Sequence, residues 1–189
     1  MDAKELFQLI RSRRSVMPPL YNEKEISDDE MEMILESANW VPTHKHTEPG
    51  RFKILSGNAL PRFAEFMVEN YKNTVPPEKQ NAMKIQKIQE KCLKSNKIIL
   101  ICYRKSGLVP EWEELASVST AVQNMWLMCT AMGIGSYWST SGAIAYMHDF
   151  IELDAAEKCV GIFYMGKVDA VPYDGHRKPM DEKIKHIDF

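Results

Sequence analysis

The apolar residues divide the chain into amphipathic helices and a few short, strongly apolar strands. From Asp2 to Arg14, Leu6, Leu9 and Ile10 fall at helical spacing. Arg11, Arg13 and Arg14 crowd the last turn, where cations complement the negative end of a helix dipole. Val16-Met17-Pro18-Pro19-Leu20-Tyr21 cannot continue this helix, because proline lacks an amide donor and restrains its predecessor. A basic cluster is therefore expected where a helix gives way to a loop. Next, Ser27-Asp28-Asp29-Glu30 reads as a capping box, with Met31, Ile34, Leu35 and Ala38 on one helical face and Pro42 setting the limit.

Further along, 51–56 is short and β-prone, Leu60 to Asn73 and Pro77 to Asn96 read as helices, and Lys97 to Arg104 reads as a buried strand. Leu115, Val118, Val122, Met125, Trp126, Cys129 and Met132 sustain a helical period until Gly133-Ile134-Gly135 breaks it. Cys159 to Val168 is a second strand. The tail, residues 170–189, contains Pro172 and Pro179 and isolated apolar residues at Ile184, Ile187 and Phe189. Such an arm cannot form a core alone; it is expected to pack on its own domain or on a second subunit.

Composition narrows the classes. With 189 residues, 44% of them hydrophobic, the chain suits one domain, 1–189, with its own core. A net charge of −2 gives no basic field for a nucleic-acid backbone. The run Ile98-Ile99-Leu100-Ile101-Cys102-Tyr103 is far shorter than the roughly 20 residues of a membrane span, and the N-terminal residues lack a signal-like apolar core. No nucleic acid, no membrane and a cytoplasmic location are the expectations. Cys92, Cys102, Cys129 and Cys159 sit singly, without a Cys-x-x-Cys pair, and read as reduced, mostly buried thiols.

The candidate chemistry lies in three separated segments: Arg13-Arg14-Ser15, the loop from Pro42 to Arg51, and Gly133 to Gly142 together with Arg177-Lys178. Arginines beside a hydroxyl can grip a phosphate through charge-assisted hydrogen bonds, although a solvated helix end gives the same triplet. Together, the segments resemble the FMN-dependent nitroreductase family, in its compact subgroup. The resemblance rests on the helix ending in Arg13-Arg14-Ser15, the loop Pro42-Thr43-His44-Lys45-His46-Thr47-Glu48-Pro49, Ala121-Val122-Gln123-Asn124, Gly133-Ile134-Gly135-Ser136-Tyr137-Trp138-Ser139-Thr140, and Tyr164-Met165-Gly166-Lys167-Val168 before Arg177-Lys178-Pro179.

This resemblance implies an α+β fold, with a mixed, mainly antiparallel sheet flanked by helices and the C-terminal arm exchanged in a homodimer. It implies FMN at the subunit groove, NADH or NADPH as reductant, and hydride passed to a small-molecule electron acceptor such as a nitroaromatic, quinone or enone. Arg13, Arg14 and Ser15 would hold the phosphate and nearby flavin edge with Arg177 and Lys178; His44, Trp138, Ser139 and Thr140 would add contacts. No catalytic side chain is expected, since the chemistry belongs to flavin N5. The alternative on the same scaffold is a flavin-storage or flavin-destroying protein.

Two departures from the family stand out. Met17 occupies a position where many relatives carry a cation, and His46, Glu48 and Gly50 replace the family's Asn, Gln and aromatic residues. The alternation of His44, His46 and Glu48 also permits a metal-site reading on an extended strand, but the bracketing prolines favour a loop with polar or cofactor contacts. Gly133-x-Gly135 follows a helix rather than opening one, so it is not a dinucleotide fingerprint.

Overall fold

The computed structural model describes residues 2–171 and 174–189; Pro172 of the tail lies outside the described residues. In chain order the elements are α1 (Ala3–Ser12), α2 (Asp28–Asn39), β1 (Gly50–Leu55), α3 (Ala59–Thr74), α4 (Ala82–Leu93), β2 (Lys97–Arg104), α5 (Glu111–Ala131), β3 (Ile134–Ser139) and β4 (Glu157–Lys167), joined by loops and short 3-10 turns. Among the described residues the strands make one sheet in the order β1-β2-β4-β3, with each neighbouring pair antiparallel.

Most of these elements follow from local chemistry. The Ser27 hydroxyl accepts from the Glu30 amide at 3.2 Å and the Glu30 carboxylate accepts from the Ser27 amide at 3.0 Å, closing the capping box that starts α2. The segment predicted as one helix from Pro77 is divided. Pro77–Lys79 forms a 3-10 turn, and the Asn81 side chain then accepts from the Met83 amide at 2.8 Å to begin α4.

The larger correction is at β3. The sequence suggests a loop after the long helix, whereas Ile134–Ser139 pairs with β4 from Ile134↔Lys167 to Ser139↔Ile162. Trp138 and Ser139 are therefore strand residues. A short run containing glycine and serine has weak strand propensity of its own, and the β4 edge supplies what the local sequence lacks. Gly133, at φ +66°, turns the chain from α5 into this strand.

Strands β2 and β4 are covered on both faces. On one side Ile98, Leu100, Ile162 and Tyr164 pack with Phe63 and Met67 of α3 and with Met147. On the other, Ile99, Ile101, Phe163 and Met165 pack with Ile34 of α2 and Val118, Val122 and Met125 of α5. This two-sided burial explains why both strands read as continuous apolar runs rather than as alternating ones.

A glycine pair attaches the segment after α1 to this core. Gly135 and Gly166 are cross-strand partners, and the Tyr21 ring occupies the space their missing side chains leave. A Cβ on Gly166 would lie 2.5 Å from Tyr21 Cδ2. The Tyr21 hydroxyl donates toward the carbonyls of Val16, at 2.8 Å, and Tyr164, at 3.1 Å. The Val16 amide donates to the Ser136 carbonyl at 2.9 Å. Residues 13–21 are thereby fixed against β3.

The expected outcome of Gly166→Ala is a loss of about 1–3 kcal/mol through overpacking of Tyr21. Thermal unfolding measures it, as a fall in Tm of roughly 2–4 °C per kcal/mol for a chain of this size. Gly142→Ala is the control, because a Cβ there meets nothing within 4 Å.

Candidate functional site

The exit of α1 gathers positive charge. Arg13 is the C-terminal cap of α1, and its guanidinium lies over the Trp126 ring of α5, 4.5 Å from the centroid. Burial and the neighbouring charges of Arg177 and Arg14 all depress the Arg13 pKa, with burial the largest influence. Arg177 has thus come into the field of Arg13 across a sequence separation of more than 160 residues. The Arg14 guanidinium packs against Gly175, where a Cβ would fall 2.5 Å from Arg14 Cζ.

Arg13 Nη1 and Arg14 Nε are buried and have no hydrogen-bond partner among the described residues. Arg14 uses Nη1 to reach the carbonyls of Arg11, at 2.5 Å, and Arg13, at 2.9 Å, while the Trp126 indole donates to the Arg14 carbonyl at 3.0 Å. Buried donors normally find partners, and clustered guanidinium groups repel one another. A dianionic ligand answers both demands. Ser15 follows directly on the exposed side, and Lys178 lies 3.7 Å from Glu182.

The end of β3 lies on the same edge of the sheet, because the Val16–Ser136 hydrogen bond runs the arginine segment alongside it. The Trp138 indole lies across Gly161 of β4, so closely that a Cβ there would overlap its Nε1. That Nε1 is also buried without a hydrogen-bond partner among the described residues. Thr140 follows the strand.

His44 lies elsewhere in the single chain. Its Nδ1 is 2.6 Å from a carboxylate oxygen of Glu113, in the first turn of α5, while Arg13 sits over Trp126 of the same helix. At ~1.5 Å per residue, those contact points are about 20 Å apart. The loop carrying His44 is not extended. Lys45, His46 and Glu48 have φ of 53°, 52° and 42°, a left-handed conformation that costs side-chain-bearing residues of order 1 kcal/mol each. Thr43 bonds the Glu48 amide at 3.0 Å, Lys45 donates to the Leu108 carbonyl at 3.1 Å, and Ser117 of α5 donates to the Pro42 carbonyl at 3.0 Å. Asn124 ties the same region down by donating to the Ser37 carbonyl at 3.0 Å.

Beside His44 is an apolar cavity of about 360 Å³ lined by Pro42, Trp112, Ala116 and Thr120, with Trp112 exposed. Behind the loop, a larger cavity of about 720 Å³ runs between α2, α5 and the free edge of β1. Its floor is Met31, Leu35, Phe52 and Val118, and its rim includes Glu32 and Glu48.

The arginines stand out in the sequence, whereas the groups that pack against them do not. Trp126 reads as an ordinary core position of an amphipathic helix, and Gly175 as a residue of a loose tail. The nearest available signal is Gly175 two places before Arg177, since a missing side chain beside a bulky one can mark a close approach.

The fold and sequence have known relatives. YfhC of Bacillus subtilis (strain 168), provisionally named an NAD(P)H nitroreductase, is 26% identical over 96% of this chain and 94% of its own. The crystal structure of a nitroreductase-like family protein from Bacillus cereus superimposes with a TM-score of 0.83, at 24% identity, over 100% of this chain and 99% of that one. The FMN-dependent nitroreductase NfnB from Mycobacterium smegmatis, solved in complex with NADPH, gives a TM-score of 0.78, at 15% identity, over 98% and 99% of the two chains. The model of the nitroreductase family matches residues 10–167, from the last turns of α1 to the end of β4, and the chain belongs to that family.

Proposed function

We propose that the protein is an FMN-dependent oxidoreductase that takes hydride from NADH or NADPH and reduces a small organic acceptor, of the nitroaromatic, quinone or enone class. The observation that carries this reading is the convergence of Arg13, Arg14 and Arg177, with two of their buried donors unsatisfied. A phosphate dianion fits that donor set. When bound, FMN supplies the hydride chemistry itself. Arg13, Arg14 and Arg177 bind its phosphate, Ser15 adds a hydroxyl, and Trp138, Ser139 and Thr140 border the ring from the end of β3.

We further infer a homodimer, with His44 and its loop contributed to each flavin site by the second subunit. The roughly 20 Å that separates His44 from the arginines along α5 supports two contributing chains. So does α1, which buries none of its residues and leaves Leu6, Phe7 and Ile10 exposed. The arm at 170–189 would lie in the second subunit's 720 Å³ groove. Ile184, Ile187 and Phe189 are exposed in the single chain, Lys183 and Lys185 complement the groove's acidic rim, and the β1 edge there lacks a neighbouring strand in the sheet.

Turnover is tested anaerobically on the purified protein. Released flavin should chromatograph as FMN, NADH or NADPH should bleach it within the time of turnover, and an acceptor should restore its colour. Sluggish bleaching and recovery would instead identify a storage protein, and destruction of the ring a flavin-consuming one.

Arg13→Ala and Arg177→Ala should each weaken FMN by about 1.5–3 kcal/mol, roughly ten- to hundredfold, as for loss of hydrogen bonds to a charged group. Titration of apoprotein reads this directly. Riboflavin, which lacks the phosphate, should bind more weakly and be nearly indifferent to both changes; equal affinity for the two flavins would reject the phosphate assignment. Deleting Ile184 to Phe189 should lower both the dimer fraction in sedimentation and the flavin content, and an unchanged, fully yellow dimer would remove the arm from the site.

A further inference from the structure

The cysteines that read singly in the sequence are not all single in space. Strand β2 pairs with β4 in regular register from Lys97↔Met165 to Ile101↔Gly161, and the register then shifts so that Cys102 faces Cys159. Without the shift Cys102 would face Val160. The bulge ejects Val160 toward the α2 and α5 side of the sheet and turns Cys159 to the side that holds Cys102.

We propose that Cys159 and Cys102 form a reversible oxidation site, a dithiol that a hydroperoxide converts into a cross-strand disulfide. Directly paired residues of an antiparallel ladder have Cα atoms about 4.5–5.5 Å apart, inside the roughly 4.4–6.8 Å that disulfides span. Both cysteines are free thiols; Cys102 is buried and Cys159 is half-buried. Cys159 also lines a cavity of about 710 Å³ bordered by Thr140, His148 and Lys158, which gives a small oxidant a route to one sulfur of the pair.

The two thiols differ in the way the chemistry requires. Each sulfur acts on the other: the neighbouring Cys102 thiol lowers the Cys159 pKa, while Cys159 raises that of Cys102, with burial and the charge of Glu157 adding to the rise. Cys92 and Cys129 are each pushed up to about 12 by burial, which makes them unreactive internal references. The Cys159 thiolate attacks the terminal peroxide oxygen, the O–O bond breaks, and the alcohol or water leaves with a proton, giving Cys159 sulfenic acid. Cys102 then attacks that sulfur, its proton goes to the departing oxygen, and water leaves. In sum, two thiols and one hydroperoxide give one disulfide, one alcohol or water, and one further water. Thiol–disulfide exchange with a small dithiol should reduce the bond again.

The test is exposure of the purified, flavin-containing protein to hydrogen peroxide or tert-butyl hydroperoxide, then denaturing alkylation and mass spectrometry. The expected result is loss of two of the four alkylatable cysteines, a mass lower by two hydrogens before alkylation and by two alkyl groups after it, a Cys102–Cys159 cross-linked peptide, and restoration by dithiothreitol. Loss of these two should precede loss of Cys92 and Cys129 by roughly tenfold or more in rate. Cys102→Ser exposed in the presence of dimedone should carry the adduct at Cys159, and Cys159→Ser should lose no thiol at the same exposure. The wild-type peptide map stands independently should a variant fold poorly. Four intact thiols, oxidation starting at Cys92 or Cys129, or Cys159 passing to sulfinic acid without the cross-link would overturn the proposal.

Discussion

Strands β2 and β4 carry apolar side chains on both faces, so one layer of helices cannot keep them from water. Covering both faces divides the core in two, with α3, α4 and Met147 on one side and α2 and α5 on the other. The central pair is thereby fixed in position, and what varies is placed at the sheet edges. Edge strand β3 takes the segment after α1 alongside it, and edge strand β1 borders the large groove. The arginine segment lies at the β3 edge, and the paired cysteines lie at the irregular end of the central β2–β4 ladder.

The arginine cluster shows what that placement costs. Three guanidinium groups share one field, and two donors are buried without partners among the described residues. Leaving a buried donor unpaired costs on the order of 1–3 kcal/mol, so the cluster is supported by the packing around it: Trp126 under Arg13, Gly175 against Arg14, and Tyr21 seated on the glycine pair. The His44 loop shows the same behaviour in backbone form. Three left-handed residues are held by side-chain hydrogen bonds from Thr43 and Ser117 and by Lys45. Strain and unsatisfied charge thus occur at separate places on the chain.

Family membership and fold are shared with proteins that differ from this chain at several loop positions. The departures from the family pattern are Met17 in place of a cation, and His46, Glu48 and Gly50 in the loop before β1. The Glu113 carboxylate at 2.6 Å fixes the His44 ring, giving this chain an ionisable pair beside the exposed Trp112 and a small apolar cavity.

Much of the architecture was legible in residue order. The helical periods of α2, α3 and α5, the capping box at Ser27, and the buried strand Lys97–Arg104 all follow from short-range patterns, because each depends on neighbours within a few residues. Arg13, Arg14 and Arg177 stand out in the sequence as candidate phosphate ligands by type and by family resemblance. Tertiary structure alone decided the rest. Strand β3 exists because β4 offers it a ladder; Tyr21 and Trp138 are seated by glycines on other strands; and one bulge places Cys159 rather than Val160 opposite Cys102. These outcomes depend on pairing register and close approach between segments far apart in the chain, which no local pattern of hydrophobic and polar residues encodes.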